Sequence, residues 1–325
     1  MSEPIIGITM GDPSGIGPEI IVKAFADPAA PQRQSVVIGD AGLLRRSAGL
    51  LGLNLEIIEI DTPAQARFAP HRINVISVSA FAADFPSGHL SAEAGGAAFE
   101  YVRRATELAL DGQIQAVATA PLNKEAMHLA GFLYPGHTEI LAELTATKNY
   151  AMMLVAPDLR VIHVSTHVSL MEATQRVTRE RELTVIRLAD DALRRLGLSR
   201  RKIAVAGLNP HAGENGLFGR EEIERIAPAI NDAQQEGIDV SGPWPGDTVF
   251  MKARRGDFDM VVVQYHDQGH IPIKLLGFDT GVNVTVGLPF FRTSVDHGTA
   301  FDIAGTGVAD HASMEAAIAL AFALL

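Results

Sequence analysis

Met260-Val261-Val262-Val263-Gln264-Tyr265-His266-Asp267-Gln268-Gly269-His270 opens on four consecutive apolar residues and turns polar at once. A half-solvated strand alternates apolar and polar positions, so the unbroken run reads as a strand covered on both faces, as in a parallel sheet sandwiched between helices. The same punctuation recurs along the chain. Runs from Ile5 to Met10, Val36 to Ile38, Ile73 to Val78, Ala116 to Thr119, Ala151 to Val155, Val161 to Val164, Ile203 to Ala206 and Val282 to Val286 predict further strands. Between them, Ala92 to Leu110, Arg179 to Leu196, Arg220 to Gln235 and Ser313 to Leu324 carry apolar residues at three- and four-residue spacing and predict amphipathic helices. Strands alternating with helices define an α/β class.

The 325 residues suffice for about two domains at roughly 150 residues each. No fixed repeat and no Pro/Gly/Ser linker marks a clean boundary, which suits a chain that passes between its domains more than once. With 38 acidic against 27 basic residues the net charge is −11, which repels a polyphosphate backbone and argues against general nucleic-acid binding. There is no cysteine, so disulfides, thiolate metal sites and Cys nucleophiles are excluded, and a metal would need His, Asp or Glu. The start, Met1-Ser2-Glu3-Pro4, lacks the cationic and apolar regions of a signal peptide. The longest apolar run, Ala316 to Leu325, falls short of the ~20 residues that span a bilayer. No membrane association and a cytoplasmic location are therefore expected.

Polar residues placed directly after apolar runs are the candidates for chemistry, because ligands of open parallel sheets gather at the carboxyl ends of strands. His167, His211 and His266 each follow such a run. Three neutral imidazoles with an open position suit a catalytic divalent ion, although each alone could be an ordinary loop residue. His163, His71 and His128 lack this setting and read as core or loop residues. Lys274, Asn283 and Arg292 sit within apolar flanks, where a buried cation or amide needs a partner such as a phosphate, a carboxylate or an internal ion pair. Pro135-Gly136-His137-Thr138-Glu139 opens a helix whose N-terminus would welcome an anion. Gly11-Asp12-Pro13-Ser14-Gly15-Ile16-Gly17-Pro18-Glu19 could cradle a phosphate or simply make a tight turn with Pro18 at the first helical position; its spacing fits neither dinucleotide fingerprint nor P-loop. Ser294 to Gly307 holds Ser, Asp and His but no nucleophile elbow, and reads as a polar loop beside a cofactor or as a capped turn.

Five stretches, Gly7 to Glu19, Gly136 to Glu139, Asn209 to Glu214, Tyr265 to Gly269 and Arg292 to Thr299, together resemble the 4-hydroxythreonine-4-phosphate dehydrogenases of pyridoxal phosphate biosynthesis, in register from Ile5 to about Asp310. The resemblance implies an isocitrate/isopropylmalate-dehydrogenase-like fold of two α/β/α domains with a cleft between them, here drawn as 1–130 plus 295–325 and 131–294. It also implies a homodimer with each active site at the subunit interface. By the same resemblance His167, His211 and His266 bind a divalent metal (Zn, Mg or Co), and His137, Thr138, Lys274, Asn283 and Arg292 bind substrate. NAD or NADP would lie near Asp296, His297 and Gly298, and Asp247 and Asp267 are the candidates to accept the substrate proton.

The implied reaction is NAD(P)-linked oxidation and decarboxylation of 4-phosphohydroxy-L-threonine to 3-amino-2-oxopropyl phosphate and CO₂. The continuations His270-Ile271-Pro272-Ile273-Lys274 and Asn215-Gly216-Leu217-Phe218-Gly219 look more like the branch acting on D-threonate or D-erythronate 4-phosphate. A non-catalytic small-anion binding protein is the alternative from another class.

Overall fold

A computed structural model describes residues 3–27, 34–276 and 282–325. The chain divides into two compact units, Met1–Lys148 with Leu288–Ala323, and Asn149–Gly287. In chain order the first unit supplies β1 (Ile6–Thr9), α1 (Gly17–Ala26), β2 (Ser35–Gly39), α2 (Ala41–Leu50), β3 (Glu56–Glu59), β4 (Arg72–Ser77), α3 (Ala92–Leu110), β5 (Ala116–Thr119), α4 (Lys124–Leu129) and α5 (His137–Leu144). The second supplies β6 (Ala151–Ala156), β7 (Leu159–His163), α6 (Leu170–Arg176), α7 (Arg179–Arg195), β8 (Ile203–Ala206), α8 (Ala227–Gln235), β9 (Val240–Trp244), α9 (Val249–Arg254), β10 (Met260–Val263), α10 (His266–Leu276) and β11 (Val282–Val286). The chain returns to the first unit as β12 (Phe291–Ser294) and α11 (Ala312–Ala323).

In the first unit the strands lie in the order β3-β4-β2-β1-β5-β12, every neighbouring pair parallel. Helix α3 packs with α4 and α5, and α1 with α2 and α11, giving two helix groups against the sheet. Asp40 and Ser91 cap α2 and α3 by accepting the backbone N–H groups of Leu43 and Ala94. The ranges expected from sequence differ from this division at both ends. Helix α5 packs on α3, and β12 pairs with β5, so both belong with the first unit.

The second unit has the order β11-β6-β7-β10-β8-β9. Strands β7, β10, β8 and β9 are parallel, but β6 runs antiparallel to both β7 and β11, which corrects the all-parallel expectation. Only Pro157 and Asp158 separate β6 from β7, too few for a crossover, so the pair closes as a hairpin. Val161, Val261, Val263, Ala204 and Ala206 form one core with Val249 and Ala253 of α9 and Ile273 of α10. Strand pleating turns Ile162 and Val262 to the other face, which α7 covers through Val185, Ile186 and Ala189. The helix expected from Arg220 begins as a π turn, Glu222–Ile226, and continues as α8.

Three strands were not legible as apolar runs. In β3, exposed glutamates flank two isoleucines. Strand β9 contains Gly242 and Pro243, tolerated because it ends the order of its sheet. Strand β12 is polar yet buried throughout, since Thr293 Oγ1 donates to Ala317 O at 2.9 Å and Arg292 finds Thr119.

Candidate active site

Strands β7, β10 and β8 are consecutive and parallel, so their carboxyl ends lie side by side. Each is followed by one of the expected metal histidines: His167 after β7, His211 after β8, and His266 at the start of α10. The rings of His167 and His266 stand 5.6 Å apart, centre to centre. Two imidazoles sharing one tetrahedral ion at metal–nitrogen distances of about 2.0–2.1 Å would stand about 5 Å apart, so this pair fits a common ion. Asp267 Oδ1 lies 2.7 Å from His266 Nδ1. A carboxylate can only accept there, so Nδ1 carries the proton and Nε2 offers its lone pair, as in carboxylate-oriented metal histidines. His211 faces the ring of Phe218 at 6.1 Å. Within one chain, and among the described residues, His211 does not close a cluster with the other two. The group whose donor atoms all come within 4.8 Å is instead the half-buried Asp27, His311 and Glu315 of the first unit.

The loops carrying these histidines are tied to one another. Gln268 Oε1 accepts the N–H of Gln264 at 2.7 Å, and its Nε2 donates to Gly207 O at 2.8 Å, joining the start of α10 to the chain leading into the His211 loop. Gly269 is required by close approach: a Cβ there would lie 2.4 Å from His163 Nε2. His211 itself sits in a left-handed turn. Residues 211–215 all have positive φ (His211 53°, Ala212 51°, Gly213 80°, Glu214 44°, Asn215 56°), a conformation costly for any residue with a Cβ. Glu222, buried, holds this turn by accepting Asn209 N at 2.7 Å and Asn209 Nδ2 at 2.9 Å. Sequence reasoning did not single out Glu222 or the turn, and a left-handed run without several glycines leaves no compositional trace.

In the first unit, Arg292 on β12 is buried and donates through Nε (3.0 Å) and Nη2 (2.7 Å) to Thr119 Oγ1. Burial pushes its guanidinium down to about 9, with the charge of Glu139 working the other way. His137 opens α5. Its Nε2 is out of solvent and has no hydrogen-bond partner. Burial, and then the charges of Arg292 and Lys124, hold the imidazole well below its ordinary pKa, so it is neutral. A neutral imidazole with an unused nitrogen beside a buried cation suits an anionic group that also offers an O–H or accepts an N–H. Thr138 follows, half-buried on the same first turn. In the second unit, Lys274 is exposed on α10, and Asn283 on β11 keeps a buried Oδ1 without a hydrogen-bond partner.

The remaining expected positions are solvent-facing. Asp296, His297 and Gly298 are exposed after β12, with His297 Nδ1 3.1 Å from Gly298 O. Asp247 is exposed after β9, and Asp267 is exposed but engaged by His266. The glycine-rich loop after β1 serves packing. The N–H groups of Asp12, Gly15 and Ile16 already donate to Pro121 O, Asp12 O and Thr299 O, and that of Ser14 to Asp12 Oδ1, which leaves none of the four for a phosphate. A Cβ on Gly17 would lie 2.0 Å from Met10 O, and α1 begins at that glycine, so Pro18 takes the second helical position rather than the first.

Comparison with known proteins agrees with these motifs. The family described as pyridoxal phosphate biosynthetic protein PdxA matches residues 31–321. A Salmonella typhimurium protein named D-threonate 4-phosphate dehydrogenase is 55% identical over the full length of both chains. A Beijerinckia indica protein named 4-hydroxythreonine-4-phosphate dehydrogenase is 50% identical, covering 96% of this chain and 92% of its own. The crystal structure of 4-hydroxythreonine-4-phosphate dehydrogenase from Klebsiella pneumoniae superposes with a TM-score of 0.94 at 54% identity, covering 99% of both chains.

Proposed function

The chain belongs to the PdxA family, and from that premise we propose that it oxidises and decarboxylates a small 4-phosphorylated 3-hydroxy acid with NAD or NADP, using a divalent ion (Zn, Mg or Co) held by His167, His211 and His266. The observation that carries the reading is the row of three histidines beyond the carboxyl ends of adjacent parallel strands β7, β10 and β8, one of them with its tautomer set by Asp267.

When bound to His167, His211 and His266, the ion would supply Lewis-acid polarisation of the substrate's oxygen, and the nicotinamide would supply the hydride acceptor. Asp296, His297 and Gly298 line the nicotinamide side in this reading. Arg292, with the neutral His137 and Thr138 beside it, holds an anionic end of the substrate by charge-assisted hydrogen bonds. Lys274 and Asn283 bind its remaining polar groups, so that the hydride-bearing carbon is presented in one orientation. The alcohol proton passes to Asp247, because the carboxylate of Asp267 is already used by His266 Nδ1. The balance is one C–H and one O–H lost from the substrate, with reduced nicotinamide and a proton formed; the bond between the α-carbon and the carboxylate then breaks, CO₂ leaves, and the enolate left behind takes up a proton at the α-carbon.

We read the active species as a homodimer with shared sites. His211 does not join His167 and His266 within one chain, and each histidine-bearing segment exposes large apolar residues: Leu170 and Met171 after His167, Leu217 and Phe218 after His211, Ile271 and Leu275 after His266. A monomer seldom leaves so many in water.

Two substrates share this chemistry and differ at C2, which carries an amino group in 4-phosphohydroxy-L-threonine and a hydroxyl in D-threonate 4-phosphate. The second is favoured by the name of the full-length relative at 55% identity. The test follows reduced nicotinamide and released CO₂ with metal-loaded enzyme on 4-phosphohydroxy-L-threonine and on D-threonate and D-erythronate 4-phosphates. Turnover of any one supports the chemistry, and the ratio of kcat/KM values names the substrate. Binding of all three without nicotinamide reduction would instead identify an anion-binding protein.

A further inference from the structure

We infer that His270 is a positioning residue that sets the ring of His266, an inference resting on the reading of His266 as a metal ligand. His270 lies one helical turn beyond His266 on α10, and the two rings stack face to face with centres 3.6 Å apart and planes 11° from parallel. His270 Nδ1 is 2.9 Å from His266 O, so its own ring is fixed against the backbone of the residue it covers. Beneath it, His163 on β7 is fully buried, its ring centre 4.9 Å from that of His270, and its Nδ1 is 3.2 Å from Met152 O. The column therefore runs from the sheet core through His163 and His270 to His266, which faces His167 at 5.6 Å.

His266 is held at three points as a result. Asp267 takes Nδ1, the helix fixes Cα, and the face of His270 blocks rotation about χ2, which is otherwise broad for an imidazole. A ring already oriented loses less freedom on taking a metal, and residues supporting a ligand in this way change metal affinity by roughly 10–100-fold when removed. The flat face, rather than the imidazole's nitrogens, does the orienting, so phenylalanine serves in its place and leucine does not.

The test is calorimetric titration of Zn²⁺ into metal-stripped full-length protein for the wild type, His270→Phe, His270→Leu and His266→Ala, each shown folded by its thermal melt. His270→Phe is expected to bind Zn²⁺ within about threefold of wild type and His270→Leu at least about tenfold more weakly. Wild-type affinity in His270→Leu, or an equal loss in both His270 variants, overturns the inference. His266→Ala separates the two readings: if it binds Zn²⁺ as wild type does, the metal-site assignment fails, whereas loss of Zn²⁺ there with full binding in His270→Leu sinks the stacking role alone. Co²⁺ spectra of the Phe and Leu variants give a second readout, with the ligand-field bands unchanged in the former and shifted in the latter.

Discussion

Glu182 has both carboxylate oxygens buried in the second unit with no hydrogen-bond partner of ordinary length. Burial pushes its carboxyl up to about 8, with Gln264 and Arg181 offsetting part of the shift. In the unfolded chain the group titrates near 4.5, so below that pH both states are protonated and the residue is neutral toward stability. As pH rises from there toward 8 the unfolded state releases its proton and the folded state does not, and stability falls by on the order of a few kcal/mol across that window. Glu182→Gln removes the titration. The variant should match wild type near pH 5 and exceed its Tm increasingly up to pH 8.5; a difference that stays constant with pH would show that the carboxyl is ionised in the fold. The signal was present in the sequence, because Glu182 shares the stripe of Val185, Ile186, Ala189 and Leu193 that α7 buries. A carboxylate set on an apolar stripe marks a buried acid.

At the level of elements, the two loops that present His211 and His266 solve different problems. Helix α10 starts on His266, the proposed ligand, and gains its rigidity from Gln268 and from the packing of Gly269 on His163. The left-handed turn at 211–215 has no such helix behind it and depends on the clamp between Glu222 and Asn209. Glu222→Ala removes two acceptors from the half-buried Asn209, at a cost of about 0.5–1.5 kcal/mol per hydrogen bond, and frees the turn to relax to negative φ. Urea unfolding should report that loss, and Zn²⁺ titration a fall in affinity of tenfold or more; unchanged affinity would mean that the turn holds its shape without Glu222. The placement of the histidines after strand ends was legible because strand, turn and histidine occupy one short segment of sequence. The turn geometry and the three strands β3, β9 and β12 were not, since edge exposure, a proline and internally paired polar groups each erase the apolar run that marks a strand.

For the whole molecule, the question is what covers the apolar residues beside the histidines. Leu275 is 82% exposed, Met171 79% and Leu217 73%, in a chain whose net charge of −11 opposes nonspecific association of copies. In the proposed homodimer a specific apolar contact outweighs that repulsion, and a contact built from the same segments on both copies is the two-fold arrangement that most homo-oligomers adopt. Light scattering should give twice the chain mass of 34.7 kDa for the wild type at micromolar concentration. Leu275→Asp places a charge in that contact and should shift the species toward the monomer, with Zn²⁺ affinity and turnover falling together if, as proposed, the donor set is completed across the copies. A wild-type enzyme that is fully active as a monomer would refute the shared site and require His211 to reach His167 and His266 within its own chain.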